Sequence, residues 1–202
     1  MIQARIGLYG GSFDPPHLAH MALARQARDE LALDELRWLP AGAPWQKADR
    51  GMAAPEHRRA MVAALIAGEP RMTLDDRELR RTGLTYTLDT VREIAAEQPE
   101  AELFLVIGQD QFGRFATWHG WRELLQRLTL AVAAREGQAI ATPPELAAVP
   151  HRARHLSLPR HDISGTAIRV RRAAGQEIAS LVGMGVARYI DQHSLYSQSA
   201  GS

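Results

Sequence analysis

Gly10-Gly11-Ser12-Phe13-Asp14-Pro15-Pro16-His17-Leu18-Ala19-His20 lies between a short apolar run, Ile6 to Tyr9, and a stretch from Leu18 to Leu31 in which apolar residues recur at helical intervals. That order reads as strand, glycine loop and helix. Two glycines let the backbone come close to a bound group, and the start of the following helix offers unpaired N–H groups and a positive dipole end to an anion. His17 and His20 stand one turn apart at that start, on one face, so both imidazoles can aim N–H donors at the same phosphate oxygens. The loop reads as a phosphate cradle. It carries neither the GxxxxGK(S/T) of a P-loop nor the GxGxxG of a dinucleotide fold.

Outward from this loop the alternation repeats. Leu36 to Leu39 reads as a strand closed by Pro40, residues 41–54 as a loop, and Pro55 opens a helix that Gly68 stops. Met72 to Leu74 reads as a short strand, and Thr87 or Asp89 caps a helix running to Gln98. Leu103 to Ile107 is an unbroken apolar run ended by Gly108. Trp121 to Arg127 reads as helix, Leu128 to Ala134 as a buried strand, Pro143-Pro144 as a loop and Arg154 to Leu158 as a late strand. Ser164 caps a helix to Ala174, and Met184 to His193 is the last helix. Alternating helices and nearly continuous apolar strands predict an α/β fold, a doubly wound parallel sheet with helices on both faces and a small C-terminal helical part. One domain over residues 1–196 and a flexible tail at 197–202 are expected. In such sheets ligands bind at the carboxyl ends of the strands, near the switch point, so the loops after Tyr9, Pro40, Ile107 and Leu158 are the candidate site.

Composition narrows the chemistry. The chain has 202 residues, 46% of them hydrophobic and 23% charged, and no apolar run approaches the roughly 20 residues of a membrane-spanning helix. The opening MIQARIGLYGGSF lacks the apolar core of a secretory signal, so a cytoplasmic location is expected and no membrane partner. Zero cysteines exclude disulfides, thiolate catalysis and zinc–cysteine sites. A net charge of +1, from 24 basic and 23 acidic residues, argues against a general nucleic-acid binder. Any polyanion site must be local, and the arginine-rich stretch from Arg152 to Arg172 is one place for it. Oligomeric state stays open, a homo-oligomer included.

Three further segments carry candidate chemistry. In Ile163-Ser164-Gly165-Thr166-Ala167-Ile168-Arg169, Ser164 and Thr166 place hydroxyls at a helix start and Arg169 adds a fork of donors suited to phosphate oxygens. Taken alone, the segment is better explained as an N-capped surface helix with a solvated arginine. Gly108-Gln109-Asp110 follows the strongest strand, where Asp110 either accepts from sugar hydroxyls or caps the next helix. Trp118 offers a flat face to a ring but belongs to a residue type that usually packs in cores. His57-Arg58-Arg59 sits in the first turns of a helix, where the dipole does not favour cations, and Asp75 to Arg81 reads as a solvated face with a few ion pairs.

These segments together resemble the HxGH-type nucleotidyltransferases, which have a Rossmann-like fold. Residues 10–20 look like their first signature, and Ile163 to Arg169 is similar to the second, ISSTxxR. Within that superfamily the chain resembles the nicotinate-nucleotide adenylyltransferases over nearly its whole length, through Tyr86-Thr87-Leu88-Asp89-Thr90, Gly108-Gln109-Asp110 with Trp118, and Tyr189-Ile190 to Leu195-Tyr196. Departures are Ala19 for glycine, Gly165 for the second serine, and Pro44-Trp45-Gln46-Lys47 where Pro-Pro-His-Lys is common. The resemblance implies adenylyl transfer from ATP to nicotinate mononucleotide, giving deamido-NAD and pyrophosphate in NAD biosynthesis, with Mg²⁺ carried on ATP and no dedicated metal site. By resemblance His17, His20 and Arg169 serve the chemical step. Gly10, Gly11, Ser12, Phe13, Lys47, Gly108, Asp110, Ile163, Ser164 and Thr166 hold ATP and its phosphates, and Tyr86, Thr87, Trp118 and His119 hold the nicotinate nucleotide. A phosphopantetheine- or glycerol-phosphate-using relative, a non-enzymatic nucleotide sensor and a nucleic-acid module are the competing readings.

Overall fold

The computed structural model of the chain describes residues 3–44, 52–135, 140–158 and 162–197. Along it run β1 (Arg5–Gly11), α1 (Leu18–Glu30), β2 (Glu35–Pro40), β3 (Ala43–Pro44), α2 (Pro55–Ile66), β4 (Met72–Leu74), α3 (Arg77–Arg80), β5 (Leu84–Thr85) and α4 (Thr87–Glu97). Then follow β6 (Glu102–Gly108), α5 (Gln109–Phe112), a 3₁₀ turn at Phe115–Thr117, α6 (Trp121–Arg127), β7 (Thr129–Arg135), α7 (Pro144–Ala147), β8 (Arg152–Leu158), α8 (Gly165–Ala173), α9 (Ala179–Val182) and α10 (Met184–Gln192).

Six strands form one sheet in the order β4-β2-β1-β6-β7-β8, every neighbouring pair parallel. The central strands read as near-continuous apolar runs because helices cover both faces of the sheet. Alternate residues divide between two cores. Tyr9, Trp38, Phe104 and Val106 face α1 and α2, meeting Met21, Ala24, Val62 and Ile66. Ile6, Leu8, Leu105, Ile107 and Val132 face α4 and α6, meeting Leu88, Val91, Ile94 and Leu124. Each fully buried aliphatic side chain contributes roughly 1.5–3 kcal/mol of transfer free energy, and because both faces are buried, register is held by which side chains fit which helix face rather than by an apolar–polar alternation. A third cluster joins the C-terminal helices to α2 through Met61, Ile168, Val182, Val186 and Ile190. The family fold expected from the sequence, a parallel sheet with helices on both faces, is the one observed.

Two details differ from the sequence reading. The loop predicted for residues 41–54 contains β3, which pairs with β5 in a separate two-stranded parallel sheet. Strands of two residues each leave no periodic trace in the sequence. The late strand begins earlier than predicted, at Arg152, and its exposed Arg152, Arg154 and His155 put charge and polarity on the sheet's edge, where they discourage pairing with another chain. No helix among the described residues is long and apolar enough to cross a membrane. Of the predicted tail only Ser197 is among the described residues.

Candidate active site

Chain order reverses between β1 and β6, because β2 and β4 extend to one side of β1 while β6, β7 and β8 extend to the other. At that switch point the carboxyl ends of both strands open into a cavity of about 360 Å³. Gly10, Gly11, Ser12 and His20 line one side of it, Tyr86, Thr87, Trp118 and His119 the other, with Gly108 at the end of β6.

On the first side, His17 is the N-cap of α1 in extended backbone (φ −149°, ψ 171°). Its main-chain N–H donates to Nδ1 of His20 at 3.2 Å. An accepting Nδ1 leaves the His20 proton on Nε2. The two rings stack with centroids 3.6 Å apart and planes 20° from parallel. His17 is only 6% exposed and its Nδ1 has no protein partner. Burial lowers its pKa to about 4, so the ring is neutral at pH 7 in the free protein and the stacked pair avoids two adjacent positive charges. The Phe13 ring lies in the core, 1% exposed, edge-on to Tyr9 at 5.5 Å and to His20 at 5.1 Å. Any contact of Phe13 with a ligand is thus left to its backbone, held at φ +46°.

Asp14 ties the loop to distant parts of the chain. Its Oδ1 accepts from the Tyr196 hydroxyl at 2.6 Å and from the Ala53 N–H at 3.1 Å. Its carbonyl accepts from Nη1 of Arg169 at 2.6 Å, and its carboxylate lies 3.7 Å from the same guanidinium. Arg169 also donates to Thr166 Oγ1 at 3.3 Å. Signature residues 155 positions apart thus meet at one aspartate. Gly165 lies so close to it that a Cβ there would come 3.0 Å from the Asp14 carbonyl oxygen, so this helix start sits closer to the loop than a serine would readily allow. Ser164 Oγ caps α8 by accepting from the Ala167 N–H at 3.2 Å. The Ile163 side chain packs against the C-terminal cluster and leaves its backbone to the site. Lys47 and its neighbours Trp45 and Gln46 lie outside the described residues.

Across the cavity, Trp118 is half-buried against Phe115, centroids 5.2 Å apart, and its indole N–H is buried without a protein partner. His119 lies against Tyr86, centroids 4.6 Å apart. Gly120 (φ +64°) holds this turn against α4, since a Cβ there would run into the Leu88 side chain. Tyr86 is the N-cap of α4, so the N–H groups of Thr87 and Leu88 belong to the unpaired start of an 11-residue helix. Gly108, not Asp110, occupies the cap of α5, which corrects the capping alternative for Asp110. Asp110 is exposed and outside the cavity lining.

Asp75 to Arg81 carries the expected ion pairs, Arg77 with Asp75 and Arg80 with Asp76, but one charged side chain in it and one in His57 to Arg59 are buried. Arg58 is 1% exposed and donates to the carbonyls of Ser12 (3.0 Å), Ala41 (2.6 Å), Gly42 (3.2 Å) and Ala53 (3.1 Å). It pins the glycine loop to the loop after β2, which offsets its unfavourable place in the first turns of α2. Glu78, from the stretch read as a solvated face, is buried and lines the cavity. Neither had a signal in the sequence, because each is buried by segments remote along the chain.

Residues 8–171 match the family model described as cytidylyltransferase-like. A protein of Methylibium petroleiphilum named "Probable nicotinate-nucleotide adenylyltransferase" is 53% identical over 203 residues, 98% of this chain and 95% of the relative. One of the same name from Bordetella petrii is 46% identical, covering 95% and 98%. Among solved structures, Plasmodium falciparum nicotinic acid mononucleotide adenylyltransferase complexed with NaAD aligns with a TM-score of 0.79 at 19% identity, over 96% of this chain and 98% of that one. At that identity the likeness speaks for the fold.

Proposed function

The chain belongs to the cytidylyltransferase-like family and, within it, to the nicotinate-nucleotide adenylyltransferases; from that premise we propose that residues 1–196 act as one domain that joins nicotinate mononucleotide to the adenylyl group of ATP, a cytoplasmic step of NAD biosynthesis. The observation that carries this reading is the single cavity at the switch point, with a glycine–histidine cradle on one wall and a tryptophan beside a free helix start on the other.

In the reaction, a phosphate oxygen of the mononucleotide forms a bond to the α-phosphorus of ATP and the bond from that phosphorus to the β-phosphate bridging oxygen breaks. The electron pair leaves with pyrophosphate. The attacking phosphate is already anionic at neutral pH, so no general base is needed, and the protein's task is to align anions and neutralise the charge that develops. The Gly10 to Ser12 backbone, the start of α1 and the His17 and His20 N–H donors suit the phosphorus under attack. Arg169, Ser164 and Thr166, with Lys47, suit the β and γ phosphates, and Gly108 and Asp110 suit the ribose. On the acceptor side, Tyr86 and Thr87 offer main-chain donors to the pyridine carboxylate, and Trp118 with His119 offers a stacking wall. These donors are imidazole, hydroxyl, guanidinium and main-chain N–H groups, a set matched to phosphate oxygens and not to a cation, so Mg²⁺ would enter with ATP as part of the substrate.

Pyrophosphate release with a panel of acceptors tests the reading. Release is expected with nicotinate mononucleotide and not with pantetheine phosphate or glycerol phosphate, and the opposite pattern would move the chain to another branch of the family. Arg169 gives a finer check. Its guanidinium is proposed to meet only the leaving pyrophosphate, so Arg169→Ala should raise KM for ATP about 10-fold or more and change KM for the acceptor less than about twofold. Equal changes for both would make this arginine a support of the Asp14 turn alone.

A further inference from the structure

Within the acceptor wall runs a chain of three side chains to which the reaction itself assigns no role. Nη1 of Arg81 donates to Thr90 Oγ1 at 2.7 Å, and the Thr90 hydroxyl donates to Glu78 Oε1, also at 2.7 Å. Because a guanidinium has no acceptor, the hydroxyl proton must point at the carboxylate, so the chain has one direction, from cation through hydroxyl to anion. Burial raises the Glu78 carboxyl above its ordinary range, while the Thr90 hydroxyl and the Arg81 charge act the other way. Arg81 is held from outside by Glu93 at 2.7 Å.

The placement of these residues decides what they do. Glu78 lies in α3 and Thr90 one turn into α4, so their hydrogen bond closes the loop that carries Tyr86 and Thr87. Glu78, Thr85, Tyr86, Thr87 and Thr90 all line the cavity, and none belongs to the ATP-side loops. Within the closed loop, β5 pairs with β3, and Gly42 lies against the Glu78 backbone so closely that a Cβ would run into its carbonyl oxygen. The loop is thus tied at its base by side chains and along its length by the small sheet. Arg58, which holds the Gly42 carbonyl, continues the connection to the glycine loop.

We propose that Arg81, Thr90 and Glu78 are positioning residues for the acceptor: they fix the start of α4 at the cavity wall and thereby set the affinity for the pyridine nucleotide without setting that for ATP. The inference rests on the assignment of Tyr86 and Thr87 to the acceptor. A 1 Å shift of main-chain donors is enough to lose the alignment that such recognition needs.

The test is steady-state kinetics of Thr90→Val, Thr90→Ser and Glu78→Gln against the parent, with both substrates varied and thermal unfolding recorded. Thr90→Val keeps the shape and removes the relay, and is expected to raise KM for nicotinate mononucleotide about 10-fold, with KM for ATP within about twofold and kcat at saturation within about threefold. Thr90→Ser, which restores the hydroxyl, and Glu78→Gln, which still accepts from it, should each stay within about threefold of the parent. If Thr90→Val does not fold, Arg81→Met breaks the chain from its solvent-facing end and should raise the acceptor KM at least about threefold. KM values for the two substrates that rise together, or a well-folded Thr90→Val with parental acceptor KM, would overturn the proposal. A parent that turns over a different phosphate acceptor would overturn the functional reading instead, and the same ratio measured with that acceptor would still decide for or against the chain.

Discussion

His17→Ala and His20→Ala are each expected to lower kcat by about 10²-fold or more while leaving the fold intact, the scale on which removing one preorganised donor acts. The geometry argues for a paired role. The His17 main chain fixes the tautomer of His20, and the stacked rings hold each other at 3.6 Å, so the orientation of the pair is set in the free protein. His17 has a buried nitrogen, Nδ1, with no hydrogen bond to the protein, an arrangement that costs stability in the free protein. Turnover within threefold of the parent for both variants would remove the pair from the chemical step.

The same histidine leaves a signature in stability that needs no substrate. Its pKa falls from 6.5 in the unfolded chain to about 4 in the fold. Between those values the unfolded chain binds a proton that the folded one refuses. Stability therefore falls as pH drops from about 6.5 to 4, by up to roughly 3 kcal/mol from this group. His17→Gln, which does not titrate, should flatten that part of the curve. Denaturant unfolding at pH 7 and pH 4.5 measures it, and an unchanged slope would show that His17 takes up its proton as readily in the fold as in the unfolded chain.

The second large effect is acceptor choice. Nicotinate and nicotinamide mononucleotides differ by a carboxylate against a neutral amide, and no lysine or arginine lines the cavity among the described residues. Discrimination must then come from the N–H donors and positive dipole end of α4 at Thr87 and Leu88, with the turn at Trp118 and His119. Donors arranged for two carboxylate oxygens would meet the amide NH₂ with another donor, costing roughly 1–3 kcal/mol per lost contact. The expected preference in kcat/KM for the acid is about 10²-fold or more. Comparable kcat/KM values would overturn the acceptor assignment and leave adenylyl transfer standing.

What could be read from the sequence is what local rules control. Strand, glycine loop and helix follow from Ile6 to Leu31 because apolar period, glycine freedom and the helix start all act within a few residues. The parallel sheet followed from Leu103 to Ile107 and its counterparts, since only strands covered on both faces read as unbroken apolar runs. His17, His20, Ser164 and Arg169 were legible for the same reason, each within a turn of a helix start that itself attracts anions. The tertiary structure alone decided which of these starts meet and what holds them. Asp14 joins Arg169 and Tyr196 across 155 and 182 positions, Arg58 is buried under four carbonyls from three segments, and Glu78 turns from a charged stretch into the cavity wall. Such contacts depend on the course of the whole backbone, because a charged side chain enters the interior only where distant segments supply the partners that replace its water, and no neighbour in the sequence announces them.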